Sequence, residues 1–462
     1  MTRIIIIIFQ TSARALRLLT CCLALNIASK GVAAPTDGKT AAQRGEEALL
    51  TRCFSHSAVS RQSYDNLWKQ WGLAGRPADF DQRVMKRYGL SPAPYPNAGL
   101  PMGLRPVRGT SGPGVGLDCM LCHAGSLFGK PCIGLPNTSV DLAGLFQDFA
   151  AARGLPQWMP YRISNVRGTT ESTATAIFLS AFRDPELNLR LPANLGPVPD
   201  QMCEDPPAWW LLKKKRTMYH NGQLDARSVR PLMAFMLSPR TNGAQFKKLE
   251  PTFADIREFL LTLEPPKYPF PLNADLVGRG KVIFEETCSR CHGTYGANAR
   301  YPNKTIPLDK IGTDPTLIRS VTPQREAYYR TSWFGQSPGP DGKPYPIHYN
   351  EGYQAPPLDG VWATAPYFHN GSVPTLDGVL NSSARPRIFT RSYGTDRDDY
   401  DPVRAGWKVT ELDRAPDPSA PAEERRRVYD TTQPGRSNAG HRFGDRFTED
   451  ERRAVIEYLK TL

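Results

Sequence analysis

Histidine is scarce in this chain. Among 462 residues there are seven: His56, His123, His220, His292, His348, His369 and His441. Nine methionines are present, but none lies beyond Met236, so the chain after that point has no thioether to offer a metal. Blocks of one charge are also few. Lys and Arg number 58 against 45 Asp and Glu, giving a formal charge of +13, yet the basic residues are scattered among acids. Without a continuous basic stripe, a nucleic-acid partner does not follow from the charge. The densest run, Lys213-Lys214-Lys215-Arg216, reads as a solvated face or a docking point for an acidic partner. Calcium stays unassigned, because no loop has a ligand pattern specific enough for it.

What stands out against these gaps is one motif, present twice: Cys119-Met120-Leu121-Cys122-His123 and Cys288-Ser289-Arg290-Cys291-His292. Cys-x-x-Cys-His is the attachment pattern of haem c. The thiols add across two vinyl groups, and the histidine binds the iron from below. A zinc ribbon brings its cysteine pairs about 15–20 residues apart, far closer than Cys122 is to Cys288. A thioredoxin-like redox pair does not need the trailing histidine. Two covalent haems are expected, on Cys119 and Cys122 with His123, and on Cys288 and Cys291 with His292.

The N-terminus agrees with that chemistry. Arg3, Arg14 and Arg17 accompany the apolar stretch Leu18–Ala28, and small residues follow at Gly31, Val32, Ala33 and Ala34. This is a signal-peptide layout over residues 1–33, with an uncleaved anchor as the alternative. It implies a periplasmic or secreted protein with no stable membrane span after cleavage. In such a compartment Cys53, Cys132 and Cys203 permit one disulfide, with all three pairings open.

Three landmarks recur in the same order, as in an old duplication. Each half has its Cys-x-x-Cys-His. Each has an aromatic-His-Asn-Gly step, Tyr219-His220-Asn221-Gly222 and Phe368-His369-Asn370-Gly371. Each ends on one signature, Glu258-Phe259-Leu260-Leu261-Thr262-Leu263 and Glu457-Tyr458-Leu459-Lys460-Thr461-Leu462. Thr448 and Glu451 form a capping box for the last helix. Its partner is expected over Asp275–Glu286, with Gly278 and Gly280 allowing a close crossing. Four prolines between Pro265 and Pro271 break any helix there. The boundary therefore falls between a first unit, 34–265, and a second, 266–462. The fold class expected is mainly α, two tandem cytochrome c-like domains with one haem each, plus long irregular loops. Short strands are expected at Tyr328–Trp333 and Arg387–Tyr393.

Elimination limits the remaining iron ligands. With no methionine after Met236, a bis-His second haem is favoured. His441, in the loop before the last helix, is the first choice for its distal ligand, and His369 is the rival. His348 reads as a loop histidine. No histidine lies between His123 and His220. The first haem is thus either open on its distal face or closed by His220, with His56 a more remote option.

At this point the chain resembles the bacterial dihaem cytochrome c peroxidase and MauG superfamily, closest to the branch of the dihaem rubber oxygenases. The resemblance rests on Pro206-Pro207-Ala208-Trp209-Trp210 through Gly222, on Gly360-Val361-Trp362-Ala363-Thr364-Ala365-Pro366-Tyr367-Phe368-His369 through Leu376, and on Gly440-His441-Arg442-Phe443-Gly444 with the final helix. It implies that one haem reacts with peroxide or dioxygen while the other relays an electron. The family's relay tryptophan has no match here. His220, Tyr219 and Trp210 are therefore the catalytic candidates, with Trp209 beside them. Leu127, Phe128, Phe146 and Phe149 are candidates for an apolar pocket over the first haem.

The reading is an exported dihaem oxidoreductase. Its partners would be peroxide or dioxygen and a small redox protein or quinol-chain donor. The alternative is an electron-transfer cytochrome without turnover of its own.

Overall fold

Two pairs of crossed helices frame the fold, and in each pair one glycine lets the backbones touch. The computed structural model describes residues 38–110, 112–155, 166–191, 202–238 and 240–462, so the leader lies outside the described residues. In the first half, α1 (Ala41–Thr51) packs on α2 (Gly243–Leu260). In the second, α3 (Ala274–Thr287) packs on α4 (Glu449–Leu459). A Cβ at Gly45 would lie 2.0 Å from the Asp255 carbonyl oxygen, and one at Gly280 would lie 1.9 Å from that of Ala454. Gly278, by contrast, faces open space, so the crossing uses only one of the two expected glycines. Capping boxes start α1 (Thr40 with Gln43), α2 (Asn242 with Gln245) and α4 (Thr448 with Glu451).

The two frames share a sequence register. Gly45 follows Arg44 and precedes Cys53 at the spacing by which Gly280 follows Arg279 and precedes Cys288. In the second half α3 runs straight into the motif, as Cys288 N–H donates to Phe284 O at 2.8 Å. In the first half the chain leaves after Cys53 on a long excursion. It forms a three-stranded antiparallel sheet, with Gly112–Leu117 between Val59–Ser60 and Leu104–Gly109, and returns to Cys119.

Helices dominate the regular structure only in part. Short antiparallel ladders of two or three residues recur, because glycine and proline break the intervening segments before a helix can nucleate. One lies in the expected stretch, Ile388–Thr390, between Thr410–Glu411 and Val428–Asp430. The strand expected at Tyr328–Trp333 is instead the end of a helix, Pro323–Thr331. Thr322 caps it and Pro323 sits in its first turn, where a missing N–H costs nothing.

The proline-rich boundary segment is irregular but packed. Tyr268 sets its ring edge-on to Trp362 at 5.1 Å, and Phe270 stacks on Tyr400. The excursion of the second half reaches back over the first, where Arg426 makes a buried two-pronged ion pair with Asp141 at 2.8 and 2.9 Å. No disulfide joins the described cysteines. Cys53 Sγ bonds to Ser55, Cys203 Sγ to Thr169, and half-buried Cys132 directs its Sγ at Ile133 O, 4.0 Å away. Among the described residues no helix is long and apolar enough to cross a membrane.

Candidate haem sites

Each Cys-x-x-Cys-His motif forms one short helical turn, Met120–His123 and Ser289–His292. The first turn is latched from several sides. Asp118 accepts the Met120 N–H and takes an ion pair from Arg105, and both side chains are buried. Arg105 also donates to the carbonyls of Leu49 and Leu50, tying the displaced motif to the end of α1. Asn137 donates its amide to Leu121 O and its N–H to Cys122 O.

The histidines of both motifs are prepared alike. His123 Nδ1 lies 3.1 Å from Pro207 O, and His292 Nδ1 lies 2.8 Å from Pro356 O. A carbonyl only accepts, so each Nδ1 carries the proton and each Nε2 keeps its lone pair. That is the tautomer in which a histidine binds iron, its other nitrogen fixed by a hydrogen bond. Burial disfavours the imidazolium and brings His123 down to about 4. It lowers His292 in the same direction. Both rings are neutral at physiological pH, as ligation requires. His123, His292, Cys119, Cys122 and His441 are half-buried, and Tyr219 is exposed. The cysteines suit thioether attachment better than zinc. Burial pushes both Cys119 and Cys122 up, the latter to about 12, which disfavours the thiolates that zinc takes. Among the described residues no three His, Cys, Asp or Glu side chains cluster to hold a metal ion.

The second site has a second imidazole. The rings of His292 and His441 lie 6.2 Å apart, centre to centre. Two imidazoles bonded to one metal at about 2 Å on each side need about that separation. His441 stands in a left-handed conformation (φ 48°), with its N–H on Ile311 O at 2.7 Å. Its Nδ1 is buried without a partner, and burial brings the ring down to about 4. His369 is elsewhere. It stacks on Tyr353 at 3.9 Å and meets His220 at 6.2 Å. In that second pair His220 Nε2 is already engaged by Asp205 O at 2.8 Å.

The first site has no such partner. Besides the His220–His369 and His292–His441 pairs, His56 lies 3.5 Å from Ser238 Oγ, and His348 is exposed. The ring stacked on His123, at 4.9 Å, is Trp209. Trp210 is instead fully buried, with its indole N–H on Asp359 O at 2.8 Å. Aligning Glu258–Leu263 with Glu457–Leu462 sets Asn242 opposite His441. Asn242 is the N-cap of α2, which begins a turn and more earlier than α4 on this alignment. Helix replaces the loop that in the second half carries the imidazole. The four apolar pocket candidates do not converge: Leu127 and Phe128 pack with Trp362, whereas Phe146 and Phe149 pack with Tyr64 and Tyr88.

The aromatic-His-Asn-Gly steps are closed by matching bridges. Met218 pairs with Leu224 and Tyr367 with Val373. Tyr219 and Phe368 take φ of 68° and 67°, strained for an aromatic residue, and Gly222 and Gly371 follow at 61° and 69°. Phe368 packs against the His441 ring at 5.9 Å. Tyr219 is its counterpart in the first half, 41% exposed, with its hydroxyl on Pro231 O at 3.1 Å. Sequence reading missed Pro207 and Pro356. The signal was there, since both stand at the same distance before their His-Asn-Gly steps. Arg105 and Asp118 gave no such signal.

A family model described as RoxA-like, cytochrome c-like matches residues 352–390, the stretch that holds Pro356, Phe368 and His369. A cytochrome c-like domain carries covalently bound haem c. Two uncharacterized proteins of Sinorhizobium fredii are also similar. One, y4iJ, is 30% identical over 43% of this chain and 41% of its own length; the other, y4iM, is 29% identical over 45% and 53%. The chain spans about half the length of the curated relatives it matches.

Proposed function

We propose that the chain is an exported dihaem c-type cytochrome of two cytochrome c-like units. In this reading it acts as an oxidoreductase on peroxide or dioxygen at the haem of Cys119, Cys122 and His123. The haem of Cys288, Cys291 and His292, closed by His441, serves as electron relay. A c-type haem supplies one-electron chemistry and, where one axial face is open, a place for peroxide or dioxygen. The observation that carries the reading is the inequality of the two sites: an imidazole 6.2 Å from His292, and none paired with His123.

The residues have distinct tasks. Pro207 and Pro356 orient the proximal rings and fix their tautomers. Trp209 holds the plane of His123. Tyr219 stands where Phe368 stands in the second half and lines the distal space. Its hydroxyl, already directed at Pro231 O, keeps that face partly polar. Purified holoprotein should consume peroxide or dioxygen when supplied with a reduced donor, and Tyr219→Phe should change KM or kcat without altering either haem's attachment. Two haems that relay electrons but consume neither oxidant would leave the electron-transfer reading in place of this one.

A further inference from the structure

The two proximal histidines are joined by a continuous path of covalent and hydrogen bonds that crosses between the halves once. From His123 the path enters Pro207 O through Nδ1–H, at 3.1 Å. It follows the backbone through Pro206 to Asp205. The Asp205 carbonyl accepts Nε2–H of His220 at 2.8 Å. The path then descends the His220 side chain to that residue's own carbonyl, which accepts the N–H of Gln354 at 2.7 Å. From Gln354 it runs through Ala355 to Pro356, whose carbonyl accepts Nδ1–H of His292 at 2.8 Å. Every link but one is backbone or a proximal imidazole. The exception is the side chain of His220.

The arrangement follows from the duplication. Asp205 and Gln354 are counterparts, and each sends its N–H to the carbonyl of the other half's histidine, Asp205 to His369 at 2.8 Å and Gln354 to His220 at 2.7 Å. The symmetry breaks at one place. On the His220 side the imidazole reaches back to Asp205 O and closes the path. On the other, His369 stacks on Tyr353 at 3.9 Å instead, and the corresponding route contains a through-space step.

We infer that His220 is the side-chain link through which an electron passes between the two haems, in place of an inter-haem tryptophan. This rests on the dihaem reading above. One electron leaves one haem and arrives at the other, so one iron is oxidised and the other reduced by one. His220 keeps its protons throughout, and no further reactant is needed.

The test is one-electron flash photoreduction of the fully ferric holoprotein, followed at the absorption bands of the two haems. His220→Phe should slow the redistribution about tenfold. His220→Gln, whose amide nitrogen can still donate to Asp205 O, should stay close to native. Both variants should keep the native EPR signals and the native haem content. A native rate in His220→Phe would overturn the inference and leave the dihaem reading intact, as would a His220→Gln rate as slow as that of His220→Phe. Should His220→Phe fail to fold, His220→Leu takes its place beside His220→Gln, with the same rates expected and the same rates overturning the inference. A single haem c per chain would overturn both readings together.

Discussion

His441 depends on a small set of neighbours that make its position unusual for a loop residue. Its left-handed backbone is held by the N–H bond to Ile311 O and by Arg385, whose guanidinium donates to the carbonyls of Asn438, Gly440 and His441. Asp445 pins the turn that follows, accepting the Ser382 N–H at 2.8 Å, the Ser382 hydroxyl at 2.7 Å and Arg442 Nε at 2.8 Å. His441→Ala should abolish one low-spin ferric signal and let a second CO bind after reduction, as read by EPR and CO titration. Burial alone would raise the Asp445 carboxyl, but the bonds from Arg442 and Ser382 outweigh it and bring the group down to about 2. A depressed carboxylate stabilises the fold above its ordinary value near 3.8, and that contribution is lost as pH falls toward 2. Asp445→Asn should therefore cost about 1 kcal/mol in urea unfolding at neutral pH. The difference should vanish near pH 2. At this scale the place of His441 beside His292 was legible in the sequence, because elimination left few imidazoles and only one stood just before the last helix. Trp209 and Trp210 were not separable there, since adjacent residues share every local signal. Only the fold directs one ring onto His123 and the other into the core.

The crossings of α1 with α2 and of α3 with α4 are made by close backbone contact, so their tolerance to a methyl group is set by single atoms. Gly280→Ala should destabilise the protein by about 2–4 kcal/mol, because the new Cβ meets a carbonyl oxygen that cannot yield without moving α4. Gly278→Ala, on the exposed face of the same helix, should be neutral or stabilise by about 0.5–1 kcal/mol. Chemical denaturation of the two variants separates these outcomes, and equal effects would contradict the packing described. The last helix with its capping box, and its partner over Asp275–Glu286, could be read from sequence because caps and the 3.6-residue period are local. The helix Pro323–Thr331 was mistaken for a strand because aromatic residues at Tyr328 and Tyr329 outweighed the Thr322-Pro323 start signal. The excursion between Cys53 and Cys119 hid a repeat whose two halves agree in register on either side of it.

Across the whole molecule the halves are interleaved. Backbone bonds from Asp205 to His369 and from Gln354 to His220 cross between them, and the Arg426–Asp141 ion pair and Arg87–Glu423 bind the second half's excursion to the first half. Thermal unfolding followed separately at each haem should therefore give coincident transitions, whereas two resolved midpoints would contradict the shared interface. The order of landmarks along the chain was legible because the motifs repeat. The crossing was not, because a repeat in sequence does not state which copy's hairpin meets which copy's backbone. In the proposed function the two iron sites differ, one bis-imidazole and one open. EPR of the ferric holoprotein, joined to CO titration after dithionite reduction, tests it most directly. One low-spin and one high-spin haem are expected, with one CO bound per chain. Two low-spin haems that refuse CO would contradict it.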